Sequence, residues 1–127
     1  MQKDNLYQYA VIRLVPKVER EEFFNIGLIM SSTKAKYIRV EFHLCPEKFQ
    51  LMRNELDLEE IRQSLVNFNK IAEGDPTGGK IALLEPAERF DWLTAARSAV
   101  IQTSTVHPGK TKDLDATFER LFEELVK

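Results

Sequence analysis

Residues 6 to 44 hold three successive segments with the marks of strands, and in the second and third of them apolar side chains recur at every second position. The third is the cleanest: Ile38, Val40, Phe42 and Leu44 alternate with Tyr37, Arg39, Glu41 and His43, so one face is apolar and the other polar. A strand of this kind fits an antiparallel sheet that meets water on one side. The segment before it, 23 to 31, sets Phe24, Ile26, Leu28 and Met30 on one face and a mixed set, Phe23, Asn25, Gly27 and Ile29, on the other. The first, Leu6 to Val15, is rich in aromatic and β-branched residues and ends at Pro16, which has no N–H for a ladder. A charged connection from Lys17 to Glu22 and the polar turn Ser31-Ser32-Thr33-Lys34 join the three into a meander.

Beyond Leu44 the period changes. Pro46 suits the first position of a short helix reaching about Asn54, with Phe49 and Leu51 or Met52 turned inward. Asp57, with Glu60 three residues on, is placed to cap a second helix along which Leu58, Ile61, Leu65, Phe68 and Ala72 recur at helical spacing until Gly74. Gly74 to Gly79 reads as a flexible surface loop, and Ile81 to Leu84 as a short strand. Pro86 starts an irregular or helical turn through Leu93, and Arg97 to Ser104 forms a further strand that His107-Pro108-Gly109 breaks. A last helix from near Asp113 carries the stripe Leu114, Phe118, Leu121, Phe122 and Leu125. The pattern predicts an α+β fold in one domain, 1–127: an antiparallel sheet of a three-stranded meander plus a later strand, covered by about three helices.

Composition bounds the function. With 127 residues, 43% hydrophobic and 30% charged, the chain is expected to fold by itself around one core. The lone Cys45 rules out an intrachain disulfide and fits a reducing compartment. The N-terminus enters a strand without the apolar stretch of a secretory signal, and no apolar run approaches a membrane span, so the expected location is the cytoplasm, without membrane association. A net charge of −2 creates no global field for a polyanion, and Lys34, Lys36 and Arg39 read as a solvated hairpin and not a nucleic-acid stripe.

The chemistry-bearing motifs divide unequally. Gly74-Asp75-Pro76-Thr77-Gly78-Gly79-Lys80 has the spacing of a phosphate-binding P-loop, but it follows a helix, and Ile81 replaces the hydroxyl that would hold magnesium. His43, Cys45 and His107 are too few and too scattered for a metal centre, so neither metal nor cofactor is expected. Ser98 with His107 is a nucleophile and base pairing that strand and turn geometry already explain. Trp92 with Phe90 reads as a plug over the sheet. The polar exceptions inside strands are more informative. Arg13 lies on the face of Tyr9 and Val11, Asn25 interrupts an apolar strand beside Gly27, and Arg97 opens the later strand. A strand arginine needs a carboxylate, such as Glu21 or Glu22, or an external anion. If the strands are neighbours, these donors converge on a phosphate or carboxylate.

Two stretches resemble a known family. Tyr9-Ala10-Val11-Ile12-Arg13-Leu14-Val15-Pro16, followed by Glu22-Phe23-Phe24-Asn25-Ile26-Gly27-Leu28-Ile29, is similar to the N-terminal signature of the bacterial family called domain of unknown function 3037. Arg89-Phe90-Asp91-Trp92-Leu93-Thr94-Ala95-Ala96-Arg97-Ser98, running on to Gln102 and His107-Pro108-Gly109, resembles its second signature, and Leu121 to Val126 its end. The resemblance matches the family's polar positions to Arg13, Asn25, Gly27, Arg97 and Ser98. Glu21 and Ala96 depart from it, standing where the family often has glycine and proline. It implies no activity, but it implies a HipA-like kinase as a partner. The expectation is therefore a non-catalytic binding or regulatory module with a candidate anion site at Arg13, Asn25, Arg97, Ser98 and His107. The alternative is a phosphate-ester hydrolase acting on nucleic acid or a nucleotide, with Arg13 and Arg97 neutralising the substrate and His107 or Glu22 moving the proton.

Overall fold

Strand β1 (Asn5–Leu14) has a neighbour on each side, and the rest of the chain is arranged around it. The structure is a computed structural model that describes residues 4–15, 23–47, 50, 58–95 and 100–127. β2 (Phe24–Ser32) and β3 (Tyr37–Phe42) follow as the antiparallel meander that the alternation predicts. Along the other side of β1, two short strands lie end to end: β4 (Ile101–Thr103) pairs with Ile12 to Leu14, and β5 (His107–Thr111) pairs with Asn5 to Tyr9. Among the described residues the sheet thus has five strands, one more than expected.

Two expectations for this edge are corrected. The later strand ends at Thr103, and its expected start at Arg97 and Ser98 lies outside the described residues. His107-Pro108-Gly109 does not end the sheet but opens β5. Proline is tolerated because β5 is an edge strand, whose outward positions need no ladder donor. Gly109 is required by its neighbour: a Cβ there would lie 2.3 Å from the Tyr7 ring, which covers the glycine.

Ser104 bridges the break between β4 and β5. Its N–H donates to the Val11 carbonyl at 2.8 Å, its hydroxyl accepts from the Val11 N–H at 2.9 Å, and the same hydroxyl donates to the Thr105 carbonyl. A side chain thus replaces the ladder partner that the irregular backbone cannot supply. Ser104→Ala leaves a buried N–H unsatisfied and is expected to cost about 1–3 kcal/mol in a urea unfolding titration.

Helices cover both faces of the sheet. On one, α1 (Leu58–Glu73) and α2 (Pro86–Leu93) pack Ile61, Ile71, Ala72, Phe90 and Leu93 against Ala10, Ile12, Leu14, Ile26 and Ile29. On the other, α3 (Leu114–Leu125) packs Phe118, Leu121 and Phe122 against Tyr7, Val11, Leu28 and Met30. α3 starts beside Asp113 as expected, and Asp113 caps it, accepting from the Ala116 N–H at 3.0 Å. Pro46 and Glu47 are helical, while Phe49, Leu51, Met52 and the Asp57 cap lie outside the described residues. Among the described residues no helix is long and apolar enough to cross a membrane.

The loop after α1 settles the P-loop resemblance structurally. Gly74, at φ 74°, ends α1: its N–H donates to the Ile71 carbonyl, and the Asp75 N–H donates to the Lys70 carbonyl. Asp75 then caps a single 3-10 turn, Pro76–Gly78, accepting from the Thr77 N–H and hydroxyl. Those bonds, the backbone one first, hold its carboxyl below the usual range. The glycines serve a helix end and a turn. Ile81–Leu83, expected as a strand, is a second 3-10 turn closed by bonds to the Lys80 and Ile81 carbonyls. The aromatic plug divides, with Phe90 buried and Trp92 38% exposed. Two helical residues so spaced do not share a face.

Candidate functional site

Arg13 and Asn25 are direct cross-strand partners, and a bulge makes them so. Ile12 pairs with Gly27 and Arg13 with Asn25, so Ile26 is the extra residue on β2. The bulge corrects the expected alternation of β2: Ile26 turns into the core beneath α1 and α2, away from Leu28 and Met30, whose face it was expected to share, and Asn25 is directed to the α3 face. Gly27 permits it. A Cβ there would lie 2.7 Å from the Glu41 carbonyl oxygen and 2.8 Å from the Phe42 ring. An asparagine two residues before a glycine within an apolar strand is the signal by which the bulge could be read.

Asn25 donates through Nδ2 to the Leu125 carbonyl at 3.0 Å, tying β2 to the C-terminal end of α3. Its amide is therefore a clasp between elements, and its Oδ1 is buried without a partner among the described residues. Arg13 lies with its Cζ 4.2 Å from the centroid of the Phe23 ring, and Phe23 is 47% exposed. On the other side of Arg13 the register places Gln102, completing a row Asn25-Arg13-Gln102 across β2, β1 and β4. Gln102 is not among the residues expected at the site; its place follows from the pairing of β4 with β1, which no local pattern records.

The other predicted site residues are placed apart or not described. Arg97, Ser98, Glu21 and Glu22 lie outside the described residues. His107 pairs with Tyr9, four positions from Arg13 along β1, which is about 13 Å at the rise of a strand. Its ring packs on Tyr9, with centroids 5.3 Å apart. Arg13 and Asn25 come together; His107 belongs to an aromatic group with Tyr9 and Tyr7.

What the remaining arginines do gives Arg13 its meaning. Arg39, expected on a solvated hairpin, instead clamps β3 to α3. It donates to Glu41 at 2.7 Å and Asp115 at 3.0 Å, and its Cζ is 4.3 Å from the Phe118 ring centroid. Tyr37 donates to the same Asp115 oxygen at 2.7 Å. Burial and then this bond push the Tyr37 hydroxyl well above its ordinary pKa, and the bond from Tyr37 holds the Asp115 carboxyl below its own. Arg62 pairs with Glu59 and Arg120 with Glu124. Arg89, which is buried, donates to the Ile71 and Ala72 carbonyls at the end of α1. Of the described arginines, Arg13 alone meets neither a carboxylate nor a carbonyl among the described residues.

The family comparison follows the same residues. The sequence model of the family described as "Protein of unknown function (DUF3037)" matches residues 9–126. The chain belongs to that family. The DUF3037 region takes in the Arg13 row, the bulge and helices α1 to α3, and begins inside β1 at Tyr9. No curated protein and no solved structure matches the chain. Among the described residues no group of three His, Cys, Asp or Glu side chains gathers to hold a metal ion.

Proposed function

We propose that this domain is a non-catalytic binding or regulatory module that holds an anionic group of a partner at Arg13. The observation that carries the reading is the contrast among arginines: the others described here are held by carboxylates or helix carbonyls, while Arg13 rests on an aromatic face. A guanidinium laid on a half-exposed ring is oriented before its ligand arrives, so less freedom is lost on binding a carboxylate or phosphate. Asn25 acts through position, fixing β2 to the end of α3 so that Phe23 stays over Arg13. The family resemblance adds a HipA-like kinase as the partner, and the unpaired Cys45 supports the cytoplasm as the setting. Phosphate-ester hydrolysis draws no support from His107, whose ring is engaged by Tyr9.

The test is calorimetric titration of a HipA-like kinase with the domain and with Arg13→Met. Methionine keeps the apolar length of the side chain, so the variant is expected to unfold within about 2 kcal/mol of the parent, the scale of a partly buried cation–π contact. Its binding is expected to weaken about tenfold or more, as for loss of a charge-assisted contact. Lost stability with unchanged binding would make Arg13 an internal clamp, and a kinase that binds neither protein would remove that partner.

A further inference from the structure

At the end of β1 remote from Arg13, no described helix covers the sheet face that α1 and α2 cover elsewhere. Those helices reach Ala10, Ile12 and Leu14 on β1, whereas Leu6 is 58% exposed and Gln8 is exposed too. A hollow of about 400 Å³ lies there, with Leu6, Gln8, Ser31, Lys34 and Pro108 in its lining. It adjoins a second hollow of about 220 Å³ lined by Asp4, Leu6, Lys34 and Lys110. The register puts Lys110 directly opposite Leu6 on β5, while Lys34 comes from the turn that follows β2 on the other side. An apolar floor is thus flanked by two ammonium groups and the single carboxylate of Asp4, which leaves the margin net positive. Among the described residues, neither lysine is within 4 Å of a carboxylate.

We propose that this groove is a docking site for a short acidic segment of a partner protein, with a large apolar side chain over Leu6 and Pro108 and carboxylates toward Lys34 and Lys110. Charge complementarity selects the sign of the segment. Shallowness selects its kind: pockets for small molecules enclose most of their ligand, and a floor residue exposed to this degree cannot. The site is independent of Arg13, from which Leu6 is separated by most of β1.

Fluorescence anisotropy with a labelled acidic peptide bearing a central Leu-Phe pair tests this in the whole chain. The peptide is expected to bind, and a variant carrying Lys34→Glu with Lys110→Glu to bind it about tenfold or more weakly. Because both lysines are exposed, the variant should keep the parent's circular dichroism and unfolding midpoint. Arg13→Met is expected to bind the peptide as the parent does, which separates this site from the Arg13 reading. Absence of binding would overturn the proposal. So would equal binding of a charge-reversed basic peptide or of one with Ser-Ser in place of Leu-Phe, and so would loss of binding on Arg13→Met. Binding of the parent to anionic vesicles in preference to the peptide would assign the lysines to a lipid surface instead.

Discussion

Phe118→Ala is expected to destabilise the domain by about 3–5 kcal/mol, a large share of the roughly 5–15 kcal/mol that holds a domain together. Phe118 is fully buried, stacked on Phe122 at 6.1 Å, and in contact with the Arg39 guanidinium, whose Cζ is 4.3 Å from its ring centroid. Its removal opens a cavity where α3 meets β2 and takes away the surface on which Arg39 lies. Urea unfolding followed by circular dichroism should show a lowered midpoint with an unchanged slope. Leu83→Ala is the control. Leu83 is 67% exposed, so its truncation should change stability by no more than about 0.5 kcal/mol. Equal effects of the two substitutions would mean that α3 does not form the second core layer.

Gly27→Ala is expected to cost about 1–3 kcal/mol although it adds a single methyl group. The new Cβ would meet the Glu41 carbonyl oxygen at 2.7 Å, and that oxygen belongs to the backbone of β3, so β3 itself has to move. The shift falls at the bulge that pairs Asn25 with Arg13. Amide hydrogen exchange around Asn25 and Leu125 should therefore quicken along with the loss of stability. Unchanged stability and unchanged exchange would show that the close approach of β2 and β3 is not required.

The order of the meander was legible from period two, and α3 from its stripe, but within β2 the period fails. The bulge sends Phe24 and Ile26 to the α1 and α2 side and Leu28 and Met30 to α3, so these four do not share the one face that alternation predicts. The errors came where tertiary context decides. Proline and glycine after His107 signal a turn by local rules, yet an edge position excuses Pro108 and the Tyr7 ring demands Gly109. Ile81 to Leu83 is too short and apolar to tell a strand from a 3-10 turn. The polar face of β3 was read as facing water, whereas Tyr37 and Arg39 reach across to Asp115 on α3, a contact that joins residues far apart in the chain. Of the candidate site, Arg13 and Asn25 could be found as polar exceptions in apolar strands. The pairing itself depends on the bulge. That Asn25 spends its donor on Leu125 is a fact of helix placement that no local pattern records.

The terminal guanidinium N–H resonances of the arginines report most directly on Arg13 as a prepared contact for an anion, because the Nε atoms of Arg13 and Arg89 are buried without a partner among the described residues. In a nitrogen-correlated NMR titration with inorganic phosphate at constant ionic strength, the Arg13 resonance is expected to shift and saturate. Those of Arg39 and Arg89, already held by carboxylates and by helix carbonyls, are expected to stay in place. An Arg13 resonance that does not move, or moves only in step with every other arginine, would contradict that role.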